Sequence, residues 1–140
     1  MTKFESRIGK IIHPQDKVYD FLSDFNNFQQ FLPGDKVKNW QNDGDTCSFS
    51  VSGVGDVGLK IVEKNPSDLI KISGNGMANV DFYLWIQLKQ LAEEDTRVKL
   101  TMKAELNPML KMVASKPLKS FLELMIKYME EFDYVSKGDF

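Results

Sequence analysis

Residues 107–132 read NPMLKMVASKPLKSFLELMIKYMEEF, and this stretch decides the fold. Met109, Met112, Val113, Leu118, Phe121, Leu122, Met125, Tyr128, Met129 and Phe132 are read as one apolar stripe at helical three- and four-residue steps. Asn107 supplies an N-cap oxygen and Pro108 a pre-set first-turn φ. Almost everything before this helix reads as strand. The helix therefore needs a sheet on which to bury its stripe, and the sheet needs the helix.

Immediately upstream lie the two clearest strands. Val80, Phe82, Leu84, Ile86 and Leu88 alternate with Asp81, Tyr83, Trp85, Gln87 and Lys89. Val98, Leu100, Met102, Ala104 and Leu106 alternate with Arg97, Lys99, Thr101, Lys103 and Glu105, after a polar loop at Glu93-Glu94-Asp95. Alternation of this length marks antiparallel strands with one dry and one wet face. Further back, Leu69–Ser73 is a strand that Gly74-Asn75-Gly76 is expected to end. Val57, Leu59 and Ile61 form the inner face of another, reaching Asn65-Pro66. Gly53-Val54-Gly55 reads as a turn. Cys47, Phe49 and Val51 alternate with Thr46, Ser48 and Ser50, and Asn42-Asp43-Gly44-Asp45 joins that strand to a weak one at Val37–Gln41.

The beginning of the chain differs. Lys3–Ile12 reads as a first strand, broken by His13-Pro14. Val18, Phe21, Leu22 and Phe25 then follow helical spacing over about Pro14–Ser23. Asp24 caps a second short helix carrying Phe25, Phe28, Phe31 and Leu32, which Pro33-Gly34 ends.

The 140 residues fit one domain, 1–140, without repeat or linker. The net charge of −2 and the presence of only two arginines, Arg7 and Arg97, argue against nucleic acid as a partner. No apolar run approaches membrane-spanning length and no signal core is evident, so no membrane insertion is expected and the cytoplasm is the default compartment. Cys47, the single cysteine, cannot form an internal disulfide and reads as a small buried thiol.

A first strand, two short helices, six hairpin-linked strands and a long helix make an α+β order, with a curved antiparallel seven-stranded sheet wrapped around the C-terminal helix. The segment HPQDKVYDFLSDFNNFQQFLP at 13–33 and the closing NPMLKMVASKPLKSFLELMIKYM at 107–129 resemble the START-like superfamily, also called SRPBCC or Bet v 1-like and including polyketide cyclase/dehydrase-type members. The resemblance runs from about Phe4 to Phe132 and implies a helix-grip fold enclosing a cavity. Members of that superfamily bind lipids, sterols, polyketides or plant hormones, or catalyse cyclisation and dehydration, so fold alone does not settle function.

Inner-face alternation and the helix stripe nominate Phe28, Phe31, Phe49, Phe82, Leu100, Met102, Met109, Met112, Leu122, Met125 and Met129 as cavity wall. Methionine suits a surface that repacks around varied apolar ligands, and it is equally a core filler. A dry cavity of several hundred Å³ would cost on the order of 10 kcal/mol at about 24 cal/mol per Å³, against a net stability of about 5–15 kcal/mol. A small or collapsible pocket is therefore expected. Ser6 and Lys10 on the first strand and Tyr128 on the helix are candidate inward polar groups. Pro117 reads either as a break that frees a lid or as a fixed bend.

No catalytic set emerges. His13 lacks the orienting partner that base catalysis uses. Gly53, Gly55 and Gly58 precede a strand rather than a helix N-terminus and lack the lysine of a phosphate loop. Neither a metal site nor a cofactor is expected. The first reading is binding of a small hydrophobic or amphipathic molecule, such as a lipid, a quinone or a polyketide-like compound. The alternatives are a cyclase/dehydratase-type enzyme on the same fold and a co-chaperone-like interaction module. Tyr83 and Trp85, two aromatics on the wet face, make the outer sheet a candidate surface for a homodimer or another partner.

Overall fold

Alternating burial carries through the hairpin-linked strands and fixes which face turns inward. In the computed structural model, which describes residues 2–32, 34–52, 55–76, 79–132 and 134, these strands are β3 (Val37–Asn42), β4 (Thr46–Val51), β5 (Gly55–Asn65), β6 (Leu69–Gly76), β7 (Val80–Ala92) and β8 (Asp95–Ala104). Each pairs antiparallel with the next. Cys47, Phe49, Val57, Leu59, Ile72, Phe82, Leu84, Leu100 and Met102 are all buried on the inner face. Register shifts at Lys38/Gln41, Ile61/Glu63 and Gln90/Ala92 put irregularities in three ladders, and such bulges bend and twist a sheet.

The expected first strand is two strands. β1 (Thr2–Glu5) and β2 (Gly9–Ile11) both pair with β8, giving eight strands rather than seven among the described residues: seven in the order β1-β8-β7-β6-β5-β4-β3, and β2 as a further partner of β8. Between the two strands, Ser6 and Arg7 make irregular contacts. The Ser6 hydroxyl accepts the Leu100 N–H at 2.9 Å, and the Ser6 N–H donates to the Leu100 carbonyl at 2.9 Å. The Arg7 N–H donates to Glu123 on the last helix at 2.9 Å.

Helix α1 (Gln15–Leu22) follows, then α2 (Phe25–Phe28), whose N-cap Asp24 accepts the Asn26 N–H at 2.9 Å, then a 3-10 turn at Gln29–Phe31. The expected stop at Pro33 lies outside the described residues, as do Gly53 and Val54 of the expected turn. Gly74-Asn75-Gly76 does not end β6: all three pair with β7. The Phe82 ring explains the glycine at 74, because a Cβ there would meet its Cζ at 2.2 Å.

Helix α3 (Pro108–Glu131) closes the fold, with Asn107 accepting the Leu110 N–H at 2.8 Å as N-cap. It runs without interruption through Pro117, so the reading of Pro117 as a break is corrected. The proline forfeits one backbone hydrogen bond to the preceding turn, yet the helix continues on both sides of it. α3 packs on β1, β2, β8 and the 3-10 turn. Gly9 permits the approach, since a Cβ there would stand 2.7 Å from Ile126 Cγ2. Arg7 holds the helix laterally, its guanidinium 2.5 Å from Glu130 and 3.5 Å from Glu123.

The N-terminal half of α3 departs from expectation. Met109, Met112 and Val113 are 77%, 84% and 67% exposed, and the first two are therefore not cavity wall. Helical phase is the cause. The step from Val113 to Leu118 is five residues, which turns the stripe by about 140°. The inward line is Leu110, Ala114, Leu118, Leu122, Met125, Ile126 and Met129.

Candidate functional site

Mid-way along α3, its inward side chains stop short of the sheet. The gap is an apolar cavity of about 70 Å³. Leu118, Phe121, Leu122 and Met125 line it from α3, and Phe28 and Leu32 from the segment after α1. Phe49, Val51, Val57, Leu59, Phe82, Leu84 and Met102 line it from β4, β5, β7 and β8. All of these side chains are hydrocarbon or thioether. The Phe82 ring occupies the space that a side chain at its cross-strand partner Gly74 would fill.

Of the expected wall residues, Phe28, Phe49, Phe82, Met102, Leu122 and Met125 are brought together around the cavity. Leu100 and Met129 are fully buried in the surrounding core and do not border it. Phe31 belongs to an aromatic cluster at the far end of the helix, stacked 5.9 Å from Tyr134 and edge-on 5.2 Å from Phe132. Tyr134, only 1% exposed, anchors that cluster. It packs on Phe21 and His13, and its hydroxyl donates to the Met129 carbonyl at 2.8 Å. Burial pushes its phenol well above the usual tyrosine range.

None of the three polar candidates reaches the cavity. Ser6 is buried, but its hydroxyl is spent on the Arg7 carbonyl and the Leu100 N–H. Lys10 is exposed, since the break after β1 leaves its side chain on the solvent side of β2 while its N–H meets Glu130 at 2.9 Å. Tyr128 is half-buried away from the wall. Cys47 is buried, and desolvation with the nearby Asp43 charge pushes its thiol up to about 12, so it is protonated at neutral pH. Among the described residues no buried side-chain polar atom lacks a hydrogen-bond partner. Such an arrangement can hold an apolar body by dispersion and exclude water; it offers no proton donor or acceptor to a bound molecule.

The wall also includes Leu32, Val51, Val57, Leu59, Leu84, Leu118 and Phe121, which the sequence did not single out. Alternation already puts Val51, Val57, Leu59 and Leu84 on inner faces. What it lacks is where along each strand the helix stands off.

Val51 and Phe121 also line a second depression of about 250 Å³, formed with Lys36, Ser52, Lys116, Pro117 and Ser120. Val51 and Phe121 thus stand between the cavity and a polar groove. On the outer sheet face Tyr83 and Trp85 are 5.9 Å apart, with the Lys71 ammonium 4.7 Å from the Tyr83 ring centre and the Lys103 ammonium 5.6 Å from that of Trp85.

Curved antiparallel sheet, short helices after the first strands and a long C-terminal helix over a cavity define a helix-grip protein of the SRPBCC, Bet v 1-like superfamily. More narrowly, the chain belongs to the CoxG family: the family model for the carbon monoxide dehydrogenase subunit CoxG matches residues 9–132. Among solved structures it is similar to a conserved protein from Geobacillus kaustophilus, with a TM-score of 0.71 at 16% identity over 93% of each chain. A protein from Thermus thermophilus gives 0.63 at 16% identity, over 99% of this chain and 100% of that one. Norcoclaurine synthase from Thalictrum flavum, in complex with dopamine and hydroxybenzaldehyde, gives 0.68 at 14% identity, over 94% of this chain and 88% of that one. These likenesses establish the fold alone. A search of the curated proteins found no match. Among the described residues no helix is long and apolar enough to cross a membrane.

Proposed function

We propose that this chain binds a small hydrophobic or amphipathic molecule in the cavity between sheet and α3. The observation that carries the reading is the wall itself, apolar at every lining position. A void left by imperfect packing is normally closed by side-chain movement or tolerated as an enclosed gap. This one is bordered on one side by the surface groove that shares Val51 and Phe121 with it. Its small volume, about 70 Å³, means that a ligand of ring or chain size enters by displacing flexible fillers, and Met102, Met125 and Phe121 are placed to yield.

Holding rather than converting fits the chemistry of the wall. General acid–base catalysis needs a titratable group within hydrogen-bond reach of the moving proton, and the lining side chains supply none. The family's description as a component of carbon monoxide dehydrogenase is compatible with a chain that serves a larger enzyme by carrying a ligand.

Native mass spectrometry of the purified protein with organic extraction, followed by titration with a fluorescent apolar probe, tests the reading. A co-purifying apolar molecule, or probe binding that Leu122→Trp abolishes in a still-folded protein, is the expected result. Failure to bind fatty acid, quinone and apolar probe alike would sink it.

A further inference from the structure

The groove beside the cavity has a composition unlike that of the cavity itself. Its polar members are two lysines, Lys36 and Lys116, and two hydroxyls, Ser52 and Ser120; no acid lines it. Neither lysine has an ion-pair partner among the described residues. The chain as a whole carries a net charge of −2, so two unneutralised cations on one rim form a local field of opposite sign. Backbone structure holds both sides of the groove. The Ser52 N–H donates to the Lys36 carbonyl at 2.9 Å, which fixes the strand side, and Lys116 and Ser120 lie one helical turn apart on α3. Val51 and Phe121 are common to groove and cavity, so a molecule seated in both would pass between them.

We propose that Lys36, Lys116, Ser52 and Ser120 bind the anionic head of a single-chain amphiphile whose hydrocarbon enters the cavity past Phe121. This inference rests on the ligand-binding reading above and adds the chemistry of the ligand to it. The head is a carboxylate or a phosphate ester, because ammonium and hydroxyl donors converge on either and the rim offers no acid to receive a cation. One chain is specified because a cavity of about 70 Å³ has no room for two.

Calorimetric titration of the purified chain with dodecanoate, dodecyl phosphate and dodecanol, each below its micelle concentration, separates the possibilities. The anions are expected to bind tighter than dodecanol by about tenfold, the size that two partly exposed ion pairs supply together. In the variant carrying Lys36→Gln and Lys116→Gln the ratio is expected to fall to about one, and in wild type it is expected to shrink in high salt. Both lysines are exposed, so the variant keeps the fold, which its thermal unfolding verifies. A preference for dodecyl phosphate over dodecanoate, or the reverse, identifies the source of the head. Equal binding of anions and alcohol by wild type overturns the head-group site and leaves the cavity reading standing. A preference that survives in the double variant overturns the assignment to these lysines. If none of the three binds while a fluorescent apolar probe does, this inference fails and the cavity reading stands; if quinone and probe fail as well, both fall.

Discussion

Gly9 and Gly58 show how a single residue's surroundings decide what its sequence position cannot. Both lie in strands, and nothing in the alternation around them tells one from the other. A Cβ at Gly9 would press within 2.7 Å of Ile126 and 3.1 Å of Val98, whereas at Gly58 it would meet nothing within 4 Å. Gly9→Ala is therefore expected to push α3 off β2 and destabilise by about 1–3 kcal/mol, as overpacking does. Gly58→Ala should be neutral or stabilising by up to about 1 kcal/mol, because alanine narrows the unfolded ensemble and fits a strand better. Urea midpoints of the two variants check the pair, and equal effects would contradict the close approach at Gly9. Ser6 gives the same lesson. Its burial was legible from alternation, but that its hydroxyl replaces a ladder carbonyl for Leu100, and so breaks the strand, depends on a partner 94 residues away.

Among the elements, α3 was the most legible and also the most misread. Its ends follow from local chemistry, Asn107 and Pro108 at the start, and the structure keeps them to within a residue. Its inward face does not. At about 100° per residue, Met112 stands about 120° and Met109 about 180° from Leu118, so counting methionines across the five-residue gap joined two different faces. Met109→Ser and Met112→Ser should each change stability by no more than about 0.5 kcal/mol, while Met125→Ala should cost about 2–5 kcal/mol. Denaturant unfolding of the three distinguishes the faces. The helix is also held by charge. The Arg7 guanidinium keeps the Glu130 carboxyl below the usual carboxylate range, against the opposing effect of burial. Because the folded value is depressed, the stabilisation is complete above the unfolded value of about 4.3 and is lost as pH falls through the folded one. Arg7 is half exposed, so solvent limits the pair to about 1 kcal/mol or less. Wild type should exceed Glu130→Gln in stability by that amount from about pH 5 to 8, and the two should converge only as pH falls through the depressed folded value; a gap that persists in stronger acid would mean that Glu130 acts through packing rather than charge.

At the scale of the molecule, the sheet–helix grip was readable because alternation in β7 and β8 and the caps of α2 and α3 are local signals. The aromatic closure around Tyr134 was not, since that residue lies beyond the helix and outside any periodic pattern. Nor was the cavity's size, which depends on how far α3 stands from β4 and β5. At about 70 Å³ and about 24 cal/mol per Å³, leaving it empty costs about 2 kcal/mol, a tolerable fraction of a domain's net stability. That cost makes the last prediction decisive between a packing flaw and a ligand site. Val57 lines the cavity from β5, where isoleucine is equally suited to a strand. Val57→Ile adds one methylene to the void and is expected to raise stability by up to about 1 kcal/mol. If the cavity holds a ligand, the same methylene occupies space that the ligand needs, and binding of an apolar probe should weaken by about fivefold or more, the size of one misfitted methylene. Thermal unfolding with and without saturating probe measures both effects on one sample, because a ligand that binds only the folded chain raises the midpoint in proportion to its affinity. Higher intrinsic stability together with a smaller probe-induced shift is the expected outcome. Higher stability with an undiminished shift would place the bound molecule elsewhere and leave the gap beneath α3 as imperfect packing.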